Sequence, residues 1–169
     1  MVLISLIISQ VLSDKYSLDT LCDTEFLVFN NTNAAALGEC LVKDPVKYSN
    51  NVLFVDYSFK GELKIPGVVT IQEANFHGDY AWGDLFHNGS DAKPAYPANV
   101  TSLDMPDLET VSSMFTIDEF DKLSTLRLPK LKRVGLALNI DLSGGPAINL
   151  TFPRLRDVSY IILKGNIDA

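Results

Sequence analysis

Residues 126–134 read LRLPKLKRV, and variants of this nine-residue motif recur along the chain. The related stretches are LKIPGVVTI (63–71), LDMPDLETV (103–111) and LTFPRLRDV (150–158). The last three motifs begin at Leu103, Leu126 and Leu150, so their spacing is nearly constant. A fixed period of about 20 to 50 residues is typical of solenoid proteins, so this repeat decides the predicted fold.

Each motif combines the signals of a short strand with those of a turn. Leu126 and Leu128 are two residues apart, so in an extended chain they point to the same side, opposite to Arg127. Pro129 then ends the strand, because it has no N–H to donate and fixes its own φ. A second extended piece follows at residues 136–138. One repeat cannot bury its own apolar edge, whereas stacked repeats can, so we predict a mainly β, parallel β-helical domain.

The period also predicts which side chains lie next to each other in the stack. Two apolar columns are expected, one of Leu103, Leu126 and Leu150 and one of Leu108, Leu131 and Leu155. Two charged columns are expected on the outside, one of Asp107, Lys130 and Arg154 and one of Glu109, Lys132 and Arg156. Each charged column begins with an acid beside a base, so we predict ion pairs between successive repeats. The alternative is unrelated charge on a solvated face.

The second step of each charged column brings two basic residues together, which is mildly unfavourable. Asp157 relieves this repulsion only if its side chain leans back toward Lys132 or Arg133. Exposed ion pairs contribute ~0.2–1 kcal/mol, so such pairs tune the register and do not hold the fold together.

The composition is that of a single soluble domain with an acidic bias. Of the 169 residues, 47 % are hydrophobic and 21 % are charged, and the net charge is −7. This length suffices for one domain with a substantial core. Nucleic-acid binding needs a basic surface, so the balance of charge argues against a nucleic-acid partner.

The N-terminus has the features of a signal peptide. Val2–Leu12 is a mostly apolar run, much shorter than the roughly 20 residues of a membrane-spanning helix. We therefore predict a signal peptide at residues 1–13, a single secreted domain at 14–169 and no transmembrane helix. The alternative is that the run is a buried first strand.

Cysteines and glycosylation motifs agree with secretion. Cys22 and Cys40 are the two cysteines, and in an oxidising compartment a disulfide between them would close one small loop. Asn-x-Ser/Thr motifs, the acceptor sites of N-glycosylation, begin at Asn30, Asn88, Asn99 and Asn149.

Two regions depart from the repeat. Residues 22–42 are predicted to cap the N-terminal end, with a short helix at 34–37 whose N-cap is Thr32 or Asn33. Residues 73–102 contain an insertion, because Leu63 and Leu103 are much further apart than one period. Insertions in solenoids often form binding loops, and the candidate ligand-contacting residues here are Tyr80, Trp82 and Phe86. The alternative is that these aromatics pack onto the sheet together with Phe76.

Three features together resemble the fungal GPI-anchored cell-wall organisation proteins. They are the two cysteines flanking an Ala-rich helix, the repeated L-x-h-P-x-L-x-x-V motif and the ending V-x-x-I-x-L-x-G-N at 158–166. The resemblance implies a right-handed parallel β-helix, similar to leucine-rich repeats and to the receptor L domain. It further implies a secreted glycoprotein of the cell wall and outer plasma membrane, without enzymatic activity or cofactor, whose candidate partners are wall polysaccharides or wall proteins.

The family also implies a GPI anchor, but this sequence departs from the longer members at its C-terminus. Those members continue through further repeats to a Ser-rich stalk and a hydrophobic tail. Residues 159–169 contain no such anchor signal, so we expect a chain shortened at this end.

The sequence contains only weak candidates for a metal site or a catalytic site. His77 and His87, with Asp79 and Asp84 between them, have irregular spacing for a metal site, and no G-x-S-x-G nucleophile motif occurs. We therefore predict no catalytic, cofactor or metal site. One alternative is a carbohydrate-active β-helix enzyme that uses carboxylates for acid–base chemistry, with candidates Asp104, Asp107, Glu109 and Asp118. Another is a secreted module that binds a glycan or protein through its sheet face.

Overall fold

The protein is mainly β in the part of the chain that its computed structural model describes, namely residues 25–28, 34–35, 52–55, 59–77 and 99–168. We refer to repeats 1 to 4 by their motifs at 63–71, 103–111, 126–134 and 150–158. The described strands are β1 (Glu25–Val28), β2 (Val52–Val55), β3 (Lys60–Lys64), β4 (Thr70–Ile71), β5 (Glu73–His77), β6 (Asn99–Asp104), β7 (Thr110–Val111), β8 (Met114–Asp118), β9 (Thr125–Arg127), β10 (Arg133–Leu142), β11 (Ile148–Asn149), β12 (Asp157–Gly165) and β13 (Ile167–Asp168).

Three parallel sheets contain these strands. The largest has the order β1-β2-β5-β8-β10, with β12 on the far side of β10; the short strands β4 and β7 pair with each other, and β7 pairs with the start of β10. The second sheet has the order β3-β6-β9, and the third consists of β11 and β13. Every pairing between strands in the described ranges is parallel. The prediction of a mainly β, parallel architecture is therefore confirmed.

The strand register follows the period of the sequence. Leu103 pairs with Leu126, and Arg133 pairs with Asp157, so each residue lies beside its equivalent in the next repeat. Leu63 pairs with Leu103 across the insertion, although the register of β3 and β6 shifts by one residue between Gly61 and Glu62. Equivalent motif positions thus lie side by side in neighbouring strands.

The prolines end strands, as the sequence predicts. β9 ends at Arg127, two residues before Pro129, and the N–H of Leu131 then donates a hydrogen bond of 3.2 Å to the carbonyl of Leu128. This bond closes a four-residue turn with proline at the second position, where its fixed φ is favourable. In repeat 1 the third turn position is Gly67, whose φ of 78° matches the left-handed residue that a type II turn requires.

The core consists of leucine and other apolar side chains from successive repeats. The first two members of each predicted column are buried: Leu103, Leu126, Leu108 and Leu131. The third members, Leu150 and Leu155, are only partly buried, because repeat 4 has no described repeat beyond it. Phe76 and Phe115 extend the core, with ring centroids 5.5 Å apart.

The predicted N-terminal cap is not shown. Ala34 is buried and helical, and Ala35 is helical, but the rest of the predicted helix at 34–37 lies outside the described residues. The other N-terminal predictions also lie there: the signal peptide at 1–13, the cap at Thr32 or Asn33 and the disulfide between Cys22 and Cys40.

Candidate functional site

A charged ladder, defined as Asp107, Glu109, Lys130, Lys132, Arg154 and Arg156, runs along the outside of repeats 2 to 4. Lys130 Nζ lies 2.7 Å from Asp107 Oδ1, and Lys132 Nζ lies 2.7 Å from Glu109 Oε2. Backbone hydrogen bonds fix this alignment, because the N–H of Lys132 donates to the Glu109 carbonyl at 2.8 Å. The predicted acid–base pairing of repeats 2 and 3 is confirmed in both columns.

Asp107 connects three repeats. Its Oδ2 accepts a hydrogen bond of 3.0 Å from the N–H of Gly67 in repeat 1, while its Oδ1 contacts Lys130 in repeat 3. The pKa of Asp107 is lowered, first by the hydrogen bond from Lys130 and then by that from Gly67. The pKa of Glu109 is likewise lowered, chiefly by the hydrogen bond from Lys132. Both carboxylates are therefore held in the ionised form.

The ladder ends on two arginines. The N–H of Arg156 donates to the Lys132 carbonyl at 2.9 Å, so repeat 4 continues the backbone alignment. Asp157 leans back toward repeat 3, with its Oδ2 3.2 Å from Arg133 Nε, which is one of the two contacts that the sequence suggests for it. Neither Arg154 nor Arg156 forms an ion pair or side-chain hydrogen bond with any residue that the structure describes.

A further ion pair between repeats was not predicted. Lys164 Nζ lies 3.0 Å from Asp141 Oδ2, and Ser143 Oγ donates to Asp141 Oδ1 at 2.6 Å. These bonds lower the pKa of Asp141, with the Ser143 hydroxyl as the largest cause and Lys164 next. Asp141 and Lys164 are one period apart in the sequence, so extending the period beyond the nine-residue motif would have found this pair.

Strand β12, which we call the outer strand, exposes an apolar surface. Ile161 and Leu163 are 52 % and 43 % exposed, although Leu138 and Ile140, their register partners in β10, are fully buried. Tyr160 and Ile162 on the opposite side are 64 % and 45 % exposed. The strand ends at Gly165, and a bend follows at Asn166.

The carboxylates considered for catalysis do not form one site. Asp104 lies in β6 of the three-stranded sheet, whereas Asp118 lies in β8 of the largest sheet and pairs in register with Asp141. Asp107 and Glu109 are bonded to lysines. Within the described ranges, no three His, Cys, Asp or Glu side chains are grouped to hold a metal ion.

The remaining predicted sites are only partly described. Asn99 is half-buried at the start of β6, and Asn149 is exposed in β11. His77 ends β5, where its backbone is in register with Asp118. The other predicted residues lie outside the described part of the chain: Asn30, Asn88, Asp79, Asp84, His87 and the candidate ligand residues Tyr80, Trp82 and Phe86.

Comparison with known proteins does not supply a family. No protein-family model, curated protein or solved structure matches this chain. In the described residues, no helix has the length and apolar character needed to cross a membrane. A functional proposal therefore depends on the repeat, the charged ladder and the outer strand.

Proposed function

We propose that this protein is a secreted, non-enzymatic cell-surface glycoprotein that contributes to the organisation and integrity of a fungal cell wall. The observation that carries the proposal is the pairing of equivalent motif positions in successive repeats, which backbone hydrogen bonds align and ion pairs such as Lys130–Asp107 support. The same repeats carry the resemblance to the fungal cell-wall family. A stack of this kind presents an extended surface, which suits contact with wall polysaccharides or wall proteins.

The proposed fold is a right-handed parallel β-helix, similar to leucine-rich repeats and the receptor L domain, with an N-terminal capping helix. Parallel pairing at a nearly constant period supports it, because the chain has to return in the same direction before each strand. Connections between parallel strands of one sheet are almost always right-handed, which favours that hand.

The state of the carboxylates favours a structural role over an enzymatic one. A glycoside hydrolase needs a carboxylic acid whose pKa is raised, so that it can protonate the leaving group. In the ladder the pKa shifts run the other way: lysines lower the pKa of Asp107 and Glu109. These groups are acceptors in ion pairs between repeats and are poor general acids.

A binding module is the second candidate function. The favouring observation is the exposed sheet surface of the outer strand, where Tyr160 and Ile162 point to solvent. Such a module would recognise a glycan or protein through its sheet face. In either function the family resemblance implies a cell-wall location and a GPI anchor, although residues 159–169 contain no anchor signal, and the acidic composition argues against a nucleic-acid partner.

Deletion of the gene in the native host tests the cell-wall proposal. We expect increased sensitivity to wall-binding dyes, restored by the full chain, and a tagged protein that appears in the wall or membrane fraction. Glycosidase treatment should reduce the mass of that protein on a gel, because we expect N-linked glycans at its sequons. A cytosolic, unglycosylated protein and normal dye resistance would contradict the proposal.

Incubation with insoluble β-glucan, chitin and mannan separates the three functions. A binding module sediments with one of them, and an enzyme releases reducing sugar. We expect no release of reducing sugar. If the protein releases reducing sugar and the variant Asp104→Asn does not, the protein is instead a carbohydrate-active enzyme.

A further inference from the structure

Three polar side chains form a row across the middle of the largest sheet, and we call Asn75, Thr116 and Asn139 the polar track. Thr116 pairs in register with Asn75 on one side and with Asn139 on the other. Side chains of a strand alternate between the two faces of its sheet, and Phe115 and Ile117 are buried in the core. Thr116 and its two register partners therefore point to the face of the sheet away from the core.

The polar track lies in the interior of the sheet. Its strands β5, β8 and β10 each have a paired strand on both sides within the described residues. Asn75 and Asn139 are partly exposed, so a ligand can reach this face. The surroundings of the track are therefore set by strands that the structure shows.

The hydroxyl of Thr116 is buried without a hydrogen bond. Thr116 is 8 % exposed, and its Oγ1 has no partner among the residues that the structure describes. A buried hydroxyl without a partner costs free energy, and valine, which has a methyl group in its place, would avoid this cost. Nearly all buried polar groups in proteins are hydrogen-bonded, so this hydroxyl points to a partner that the described chain does not provide.

The two asparagines of the track also keep free hydrogen-bonding groups. Asn75 Nδ2 donates to Glu73 Oε1 at 2.9 Å, which leaves Asn75 Oδ1 without a partner in the described ranges. The Asn139 side chain forms no hydrogen bond with any described residue. An amide offers both donors and an acceptor, and a hydroxyl can do either. The free groups of the track are therefore neutral and include donors as well as acceptors.

The charged groups beside the track favour a neutral ligand. Asp141 already accepts hydrogen bonds from Ser143 Oγ at 2.6 Å and from Lys164 Nζ at 3.0 Å. Asp118 lies in register with Asp141 and adds a second carboxylate to this row, which repels anions. A cation would supply donors only and would leave the acceptor needs of the amide N–H groups unmet. A ligand rich in hydroxyls supplies donors and acceptors together.

We propose that the polar track binds a neutral oligosaccharide, an inference that rests on the binding-module function above and names its residues and ligand class. One sugar hydroxyl bonds the Thr116 Oγ1, and neighbouring hydroxyls of the same sugar chain bond the amides of Asn75 and Asn139. Adjacent strands lie about 4.8 Å apart, so the three side chains span roughly 10 Å, which suits a short run of linked sugars.

Calorimetric titration of the full chain with laminarihexaose, mannohexaose and N-acetylchitohexaose tests the ligand class and separates glucan, mannan and chitin as its source. We expect at least one of these neutral chains to bind saturably, with an affinity that is nearly the same at low and high salt. The control is the anionic chain hexagalacturonic acid, which should bind more weakly. No binding of any neutral chain, or preference for the anionic chain, would overturn the proposal.

Two variants of the track test the location. Thr116→Val and Asn139→Ala each remove neutral hydrogen-bonding groups, so each should weaken binding at least about fivefold. The matched control is Thr125→Val, since Thr125 is a half-buried threonine in β9 of the three-stranded sheet and should bind normally. Unchanged binding in either track variant would overturn the proposal.

Thermal unfolding of Thr116→Val separates a binding role from a structural one. The Tm should stay the same or rise, because the hydroxyl has no bond to lose within the described residues. A lower Tm would reveal a bond inside the protein and overturn the proposal.

Sedimentation with insoluble polysaccharide distinguishes a wrong site from a wrong function. The combined variant Thr116→Val with Asn139→Ala should lose the sedimentation that the unaltered protein shows. If the combined variant still sediments, the protein is a binding module whose site is elsewhere, and the track is not its site. If neither protein sediments and no oligosaccharide binds, this inference and the binding-module function both fail, and the gene deletion still tests the cell-wall proposal.

Discussion

Repeats 3 and 4 have the same motif and very different burial. β10 in repeat 3 alternates buried and partly exposed residues toward its end, and Leu138, Ile140 and Leu142 are almost completely buried. β12 in repeat 4 pairs with β10, yet all its side chains except Val158 are exposed. In the described residues, β10 has strands of repeats 2 and 4 on its two sides, whereas β12 has a strand on one side. Burial in these repeats therefore depends on the neighbouring repeat and not on the motif alone.

The largest expected effect comes from the apolar columns. Leu131→Ala should lower the free energy of unfolding by about 2–5 kcal/mol, because Leu131 is fully buried and its truncation leaves a cavity. The equivalent change Leu155→Ala should cost less than half as much, because Leu155 is only partly buried. Urea denaturation of the two variants measures the difference. Equal losses would show that repeat 4 is as well covered in solution as repeat 3.

A smaller effect is expected at the close backbone contact between Gly135 of repeat 3 and Ser112 of repeat 2. A Cβ on Gly135 would lie 2.1 Å from the backbone oxygen of Ser112, so Gly135→Ser should cost about 1–3 kcal/mol through overpacking. Repeat 4 has Ser159 at the corresponding place, where the register with β10 shifts by one residue and the serine hydroxyl lies 3.3 Å from the Gly135 carbonyl.

Ser159→Gly is the matched control for this contact. It should change stability by less than about 1 kcal/mol, since an exposed serine contributes little packing. Thermal unfolding of both variants makes the comparison. A neutral Gly135→Ser would mean that repeats 2 and 3 separate easily at this point.

The smallest effect is expected from the ladder. A double-mutant cycle with Asp107→Ala and Lys130→Ala should give a coupling energy of ~0.2–1 kcal/mol, the usual range for exposed ion pairs. The same cycle with Asp107→Ala and Arg154→Ala should give almost none, because Arg154 does not contact Asp107. A coupling to Arg154 as large as that to Lys130 would contradict the observed pairing.

The pH dependence of this coupling has a definite sign. The folded pKa of Asp107 is lowered, so its contribution is present above its unfolded pKa, about 3.9, and is lost as the pH falls through the folded value. The coupling measured at neutral pH should therefore disappear in strong acid. Persistence of the coupling after the carboxylate has been protonated would indicate a contact that does not depend on the carboxylate charge.

The leucine spacing and the prolines made the strand register predictable from the sequence. The exposure of a side chain also depends on which strands lie beside it. The spacing of Leu103 and Leu126 and the position of Pro129 are properties of the sequence, and the structure confirms their consequences. The exposure of Ile161 is not predictable in this way, because its pattern matches that of buried Leu138. The one-residue register shift after Val134 depends on how two strands fit together, which no single repeat encodes.

Several site predictions remain predictions. The disulfide, two of the four sequons and the aromatic ligand loop fall on residues that the structure does not describe. Asn149 is exposed, as a glycan acceptor has to be, whereas Asn99 is half-buried beside β3. The ion pairs of the ladder were predictable because acidic residues of repeat 2 and basic residues of repeat 3 are one period apart in the sequence.

The hydrogen bond from Gly67 to Asp107 joins two repeats that are separated in sequence by the inserted segment. Leu63 pairs with Leu103 and Ile71 with Val111 across that segment, so these motif positions keep their pairing although the register shifts by one residue within β3 and β6. The inserted segment lengthens the chain between the paired strands of repeats 1 and 2 by less than a factor of two. This costs only about 0.5 kcal/mol of chain entropy. Repeats of this type can therefore acquire surface loops during evolution, or receive a grafted peptide in the laboratory, with almost no cost to the stack that carries them.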